Sequence, residues 1–428
     1  MMRVAMITVH TCPLARLGSR ETGGMNVYIR ELSRHLGEAG IGVDVFTRRQ
    51  ATDVSEQVAF GTNARVVHLD AGPRRPMDKY RVLDHLPEFA ANVRAFQERE
   101  GLDYDVVHSH YWLSAPVALD LARAWRVPMV AMFHTLGKVK NHVSSNGHET
   151  EKAERIKIEY AAMMASERIV AASPTDMQQM VSYYQADPSR IRIIPEGVDT
   201  GLFHPFDRGA ARAAIGMGEG PQLLFVGRIQ QLKGIDLLLR AFAIVLQGWD
   251  AGPRPRLTIV GGVSGAGHGD PEAEERVRLN GLARALGVES QVSFRDAVAH
   301  HELPTFYSAA DVVVVPSTYE SFGLVALEAM ACGTPVVASR VGGLQWTVRD
   351  AETGFLVPRR TPEAFASALD TVLRDDALRL TMSEAAVRTA GAYSWAGVAE
   401  RVMDLYRELA PRVPQQVASS LCSCGSRP

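Results

Sequence analysis

Short runs of β-branched and other apolar residues recur along the chain, and longer stretches with helical spacing of apolar positions lie between several of them. In the first half the runs are RVAMITVH, GVDVFTR, ARVVHLD, YDVVHSH, VPMVAMFHT and ERIVAAS, with HLPEFAANVRAFQERE as one of the helical stretches. Strands alternating with helices predict a parallel sheet covered on both faces. A last run, RIRIIPEGV, leads into DTGLFHPFDRG, whose Pro and Gly content reads as a linker. The pattern then restarts with PQLLFVGRI, RPRLTIVGG, SQVSFRDAV, ADVVVVPS, TPVVASRVGG and TGFLVPRR, with GIDLLLRAFAIVLQ among its helices. The fold class is therefore α/β, with two Rossmann-like, doubly wound domains over residues 1–198 and 206–393. A ligand is expected in the cleft between them, at the carboxyl ends of the strands. SWAGVAERVMDLYREL reads as a terminal amphipathic helix, and residues 412–428, small and polar, as a disordered tail.

Composition narrows the function. The 428 residues are 46% hydrophobic and 22% charged, enough for a large core. With 46 basic and 48 acidic side chains the net charge is −2, which argues against a nucleic-acid partner. No apolar run approaches a membrane span, and the N-terminus lacks a signal-peptide pattern. Cys12, Cys332, Cys422 and Cys424 fit no zinc spacing, so a reducing cytoplasm is the expected compartment. Only six of the basic residues are Lys, so each retained Lys is slightly more informative than usual.

Three stretches carry candidate chemistry. In ETGGMNVYIRELSRHL, Gly23 and Gly24 open a helix after the first strand, a place suited to an anion. The stretch is neither a P-loop nor a dinucleotide fingerprint, and a simple tight turn is the plainer alternative. FVGRIQQLKG puts Arg228 and Lys233 after a strand end and before a helix, where two cations can grip a diphosphate. In ESFGLVALE, Glu320 ends a loop and Glu328 lies eight residues further on, inside a helix whose first N–H groups are free for phosphate. Carboxylates accept hydrogen bonds from sugar hydroxyls; the plainer alternatives are a helix-dipole charge for Glu320 and an exposed helix residue for Glu328.

ESFGLVALEAMACGTPVVASRVGG resembles the E-x7-E signature of family 4 glycosyltransferases, and with the Gly-Gly loop and FVGR…K the likeness runs to about residue 410. It implies a GT-B fold, a nucleotide-sugar donor in the second domain and a phosphorylated acceptor in the first. By the likeness Arg228 and Lys233 hold the donor diphosphate, Glu320 the donor sugar and Glu328 the ribose. Phe322, Gly323 and Leu324 present N–H groups, Val298 lies beside the donor, and Gly24 lets the donor come close. The last helix, residues 394–411, is expected back on the first domain.

GGMNVYI is similar to the retaining enzymes that join N-acetylglucosamine to inositol phosphate in mycothiol synthesis; sucrose-phosphate synthases are close cousins. In those enzymes the positions of Lys79, Tyr111, Thr135 and Arg155 bind the acceptor phosphate, and cations with hydroxyls suit that role. His10 and Asn26 are expected near the inositol ring, and His134 against the donor sugar. The expected catalytic set is His134, Arg228, Lys233 and Glu320. The loop TCPLARLGSRET departs from the mycothiol enzymes, and GKVKNHVSSNGHE adds two cations, Lys138 and Lys140, near the acceptor site. The expectation is a retaining hexosyltransferase using a UDP-sugar, UDP-N-acetylglucosamine by the likeness, on inositol phosphate. Transfer to fructose 6-phosphate is the nearer alternative; a nucleotide-sugar epimerase or a non-catalytic binder is the alternative of another class. No Asp-x-Asp metal motif stands in the expected place, so no cofactor is expected to be required, though a structural Mg2+ stays open. A homodimer stays open as well, without a diagnostic interface.

Overall fold

Each apolar run forms a strand. The computed structural model describes residues 1–15, 22–144, 150–262 and 271–410. Its first sheet contains β1 (Arg3–Ile7), β2 (Gly42–Arg48), β3 (Gln57–Gly61), β4 (Ala64–Leu69), β5 (Val106–His110), β6 (Met129–Met132), β7 (Arg168–Ala171) and β8 (Ile191–Ile193). The order is β3-β4-β2-β1-β5-β6-β7-β8, parallel at every pairing except β3 with β4. The second sheet contains β9 (Gln222–Val226), β10 (Arg256–Val260), β11 (Val292–Arg295), β12 (Val312–Val315), β13 (Val336–Ser339) and β14 (Gly354–Val357). Its order is β11-β10-β9-β12-β13-β14, all parallel. Central strands such as β5 and β12 are buried at every position, so they read as near-continuous apolar runs.

The apolar pattern misses β3. Its residues alternate between exposed and half-buried, and it pairs with β4 at the sheet edge through a hairpin in which Asn63 takes a φ of 53°. Such an edge strand buries too little to form an apolar run, and Asn is one of the few residues that accept a left-handed turn.

The helix Gly24–Glu38 starts where the Gly-Gly pair places it, with Gly23 as its N-cap. Gly23 has no side chain to cap the helix; Asn26, at the third helical position, supplies the reciprocal bond by accepting the Gly23 N–H at 3.1 Å. Val27, Tyr28, Ile29, Leu32 and Leu36 form the buried stripe.

The chain crosses to the second sheet after Val198 and returns before the final helix, Trp395–Leu409. At that return the Val198 N–H donates to the Tyr393 carbonyl at 2.7 Å, and the Ser394 hydroxyl caps the helix by accepting the Gly397 N–H at 3.2 Å. Trp395 is buried and lies edge-on to Tyr28, with ring centroids 5.5 Å apart. Tyr406, further along, meets His108 of β5 at 2.6 Å. The final helix therefore packs on the first sheet's unit. The expected tail, 412–428, lies outside the described residues. Among the described residues no helix is long and apolar enough to cross a membrane.

Trp395→Ala would open a cavity where the returning chain meets the first unit. It is expected to destabilise by about 3–5 kcal/mol, read as a lower guanidinium midpoint. Leu380→Ala, at a 62% exposed position, is expected to stay within about 0.5 kcal/mol of the parent.

Candidate active site

The carboxyl ends of the two sheets meet. The helix Leu324–Ala331 follows β12, and a Cβ added to Gly24 would sit 3.1 Å from Leu324 Cδ1. A side chain at residue 24 would press on the Leu324 side chain across the cleft, so the units come close together at this glycine. The Ser321 hydroxyl donates to the His134 carbonyl, and Trp346 Nε1 donates to Thr175 Oγ1 at 2.9 Å, two further contacts between the units. Gly323, at φ 99°, makes the turn that lets the loop enter the Leu324–Ala331 helix.

Lys233 and Glu320 come together as an ion pair, and the Ser317 hydroxyl donates to the same Glu320 oxygen at 3.1 Å. Arg228, half-buried, follows β9 on the same side. Phe322 is buried against Tyr393. The Phe322, Gly323 and Leu324 amides stand at the start of the helix, where N–H groups lack intrahelical acceptors. Glu328 is buried, not an exposed helix residue. One oxygen lies 2.9 Å from His300 Nε2, and the other accepts from the Tyr307 hydroxyl at 2.8 Å. Val298 lies two residues before His300 and packs on the apolar cluster beside it.

His134, two residues past the end of β6, takes a left-handed conformation, φ 59°. Its Nε2 is 3.1 Å from His110 Nδ1, and the His110 and His108 ring centroids are 4.2 Å apart. Burial holds all three imidazoles neutral: His108 and His134 are pulled down to about 3, and His110 well below its ordinary value. A neutral ring keeps one donor and one acceptor, which suits a sugar hydroxyl.

The next residue, Thr135, faces a second cluster. Arg155, from the helix Ala153–Ala165, donates to the Thr135 carbonyl at 2.8 Å, to its hydroxyl at 3.0 Å and to the Tyr111 hydroxyl at 3.3 Å. Lys79, Lys140 and Arg155 all reach Glu151, with N···O distances of 2.6, 3.1 and 2.8 Å. The four expected phosphate ligands thus share one site, although their segments are far apart in the chain. His10 stacks on Tyr111, centroids 5.6 Å apart. Burial first, then the Lys79 and Arg48 charges, lowers it to about 4. Asn26 is buried, and its amide donates to Thr11 Oγ1 at 2.6 Å and to the Cys12 carbonyl at 2.8 Å. It braces the loop after β1.

One expectation needs correction. Of the two added cations only Lys140 joins the cluster; Lys138 donates to the Tyr183 carbonyl at 2.6 Å and lies over the Tyr184 ring. The two are separated by two positions in one helix, about 200° around its axis, so they point apart. Sequence reasoning also missed Glu151, Tyr80 and Glu159, which partner the cations, and Glu196. Glu196 is buried where the chain leaves the first sheet, and burial first, then Asp176 and Glu320, raises it to about 8. An acidic residue flanked by apolar neighbours, as in IIPEGV, is the signal that marks it.

Residues 22–202 match the family described as Glycosyltransferase Family 4, and residues 207–389 match Glycosyl transferases group 1. The chain is 44% identical to the D-inositol 3-phosphate glycosyltransferase of Acidothermus cellulolyticus over 410 residues, 95% of this chain and 90% of that one. It is 39% identical to the protein of the same name from Corynebacterium urealyticum over 429 residues, 99% and 100% of the two chains. Sucrose-phosphate synthase from Thermosynechococcus elongatus superposes with a TM-score of 0.87 at 34% identity, over 96% of this chain and 99% of that one. Anabaena HepE, solved in complex with UDP and glucose, shares the fold at a TM-score of 0.74 and 19% identity, over 96% and 100%.

Glu196 keeps its proton in the native protein to about pH 8, whereas the unfolded chain loses it near 4.5. Between those values unfolding releases a proton, so this group's contribution to stability falls as the pH rises. Glu196→Gln is expected to flatten that decline in melting curves taken from about pH 5 to about pH 8. Parallel curves for the two proteins would contradict the buried, protonated acid.

Proposed function

The chain belongs to the family 4 glycosyltransferases, and from that premise we propose that it moves N-acetylglucosamine from UDP-N-acetylglucosamine to an inositol phosphate, retaining the anomeric configuration. The observation that carries the acceptor class is the convergence of Lys79, Tyr111, Thr135 and Arg155 on one anion site. Cations and hydroxyls from separated segments match a phosphate's several acceptor oxygens. Inositol phosphate is favoured over other phosphorylated acceptors by the name that the relatives share.

In this reading Arg228, Lys233 and the amides at the start of the Leu324–Ala331 helix stabilise the charge that builds on the departing diphosphate. They do so without a divalent metal. Glu320, paired with Lys233, meets the donor sugar, and neutral His134 hydrogen-bonds to it from the first unit. Val298 and Glu328 hold the nucleoside, with Glu328 on the ribose. His10 and Asn26 line the inositol ring's side of the cleft, Asn26 through the loop that it braces. The acceptor hydroxyl attacks the face that the diphosphate leaves, and a diphosphate oxygen takes its proton. The enzyme works in the cytoplasm. A second reading, transfer to fructose 6-phosphate, draws on the structural likeness to sucrose-phosphate synthase and would use the same phosphate site.

UDP release from UDP-N-acetylglucosamine, with product mass recorded, tests the proposal against inositol phosphate, fructose 6-phosphate and no acceptor. Release with inositol phosphate alone is expected. Release with fructose 6-phosphate alone would move the acceptor, and release without acceptor would point to an epimerase or hydrolase. Lys79→Ala is expected to raise the acceptor KM about ten- to a hundredfold and leave the donor KM nearly unchanged. Glu328→Gln is expected to weaken UDP binding about tenfold in calorimetry; unchanged affinity would remove Glu328 from the ribose.

A further inference from the structure

Glu151 stands just before the Ala153–Ala165 helix, and its side chain is 4% exposed. One carboxylate oxygen accepts from Lys79 Nζ at 2.6 Å and from the Tyr80 hydroxyl at 2.8 Å. The other accepts from Lys140 Nζ at 3.1 Å and Arg155 Nη1 at 2.8 Å. Two ammonium groups, a guanidinium and a phenol thus converge on two oxygens, an arrangement that an anion with more oxygens fills as well or better. The Glu151 backbone is held separately. Its N–H donates to Asn141 Oδ1 at 2.6 Å, and its carbonyl accepts from Asn141 Nδ2 at 3.0 Å. The carboxylate can therefore leave by side-chain rotation while the chain stays in place.

Charge decides whether it must leave. The cluster has three cations, Lys79, Lys140 and Arg155, and two carboxylates, Glu151 and Glu159. Glu159 is committed elsewhere: it pairs with Arg155 Nε at 2.7 Å and accepts the Gly137 N–H at 3.0 Å. With Glu151 inside, the cluster carries one surplus positive charge; with Glu151 outside it carries two. A phosphate monoester near neutral pH carries close to two negative charges. Among these directly bonded groups a dianion is balanced when Glu151 has gone, and with Glu151 still inside two anions would compete for the same cations. A neutral polyol has no such claim on the cations.

We propose that the Glu151 carboxylate is a built-in competitor for the acceptor phosphate, yielding its four donors to a dianion and to nothing neutral. The inference rests on the acceptor site proposed above. It makes Glu151 a specificity-determining residue: selection for a phosphorylated acceptor comes from the ion that has to be displaced as well as from the cations that bind.

The test is calorimetric binding of inorganic phosphate to the full chain, comparing the parent, Glu151→Gln and Lys79→Ala, with folding checked by melting. Glu151→Gln is expected to bind phosphate about tenfold tighter, and Lys79→Ala to lose binding. If Lys79→Ala loses binding while Glu151→Gln binds equally or more weakly, Glu151 only positions the cations and the proposal is overturned, with the acceptor site intact. If neither change affects phosphate binding, the acceptor site itself is wrong, and the proposal falls with it. A crystal structure of the parent with inositol phosphate decides the matter independently of any variant's folding. The phosphate is expected on Lys79 and Arg155 with the Glu151 side chain turned away; Glu151 still bonded to both beside the bound phosphate would overturn the proposal.

Discussion

Arg155 carries a permanent charge on a side chain with no exposure to water. A buried charge is tolerated only when partners replace its hydration. Glu159 takes Nε, Glu151 and Tyr111 share one terminal nitrogen, and Thr135 takes the other with both its carbonyl and its hydroxyl. Satisfying this one guanidinium therefore fixes the Ala153–Ala165 helix against the ends of β5 and β6. Tyr111 and His134, just past those strands, hold left-handed φ values of 70° and 59°. Backbone of that kind persists only where the surroundings over-determine it, and it is common at functional sites.

The end of β6 also joins the two halves of the cleft. Thr135 faces the cation cluster, while the carbonyl of His134 receives Ser321 from the loop that carries Glu320. Two consecutive residues thus tie the cation cluster of the first unit to the Glu320 loop of the second. Close approach needs small groups at the contact, which is the part played by Gly24 against Leu324.

Behind the cleft, the returning chain supports the same strand ends. Tyr406 of the final helix meets His108, whose ring lies tilted against His110, which in turn meets His134. Tyr28 lies against His110, His134 and Trp395 together. A row of neutral imidazoles between aromatic rings is an unusual core. It gives the strand ends polar partners without placing a charge in the interior.

The local pattern of the sequence determined much of this protein. Parallel strands buried on both faces are continuous apolar runs, so thirteen of the strands could be read directly, whereas β3, half-exposed at an edge, could not. The helix opened by Gly23 and Gly24 was legible, as were the loop of Glu320 and the helix of Glu328, because each depends on a few neighbouring residues. Lys79, Tyr111, Thr135 and Arg155 were singled out by likeness to a family, not by any spacing among them. Tertiary structure alone decided what those residues touch. Lys79 and Glu151 stand 72 positions apart, and no periodicity announces their pairing. Asn26 turns its amide onto the preceding loop, Lys138 points away from the cluster that Lys140 joins, and Glu196 keeps a proton because the fold removes its water. Backbone propensity and apolar periodicity act over a few residues and survive in a linear reading. The energy of a charge depends on which segments the fold brings within a few ångströms of it and on how much water remains, and both are properties of the packed chain.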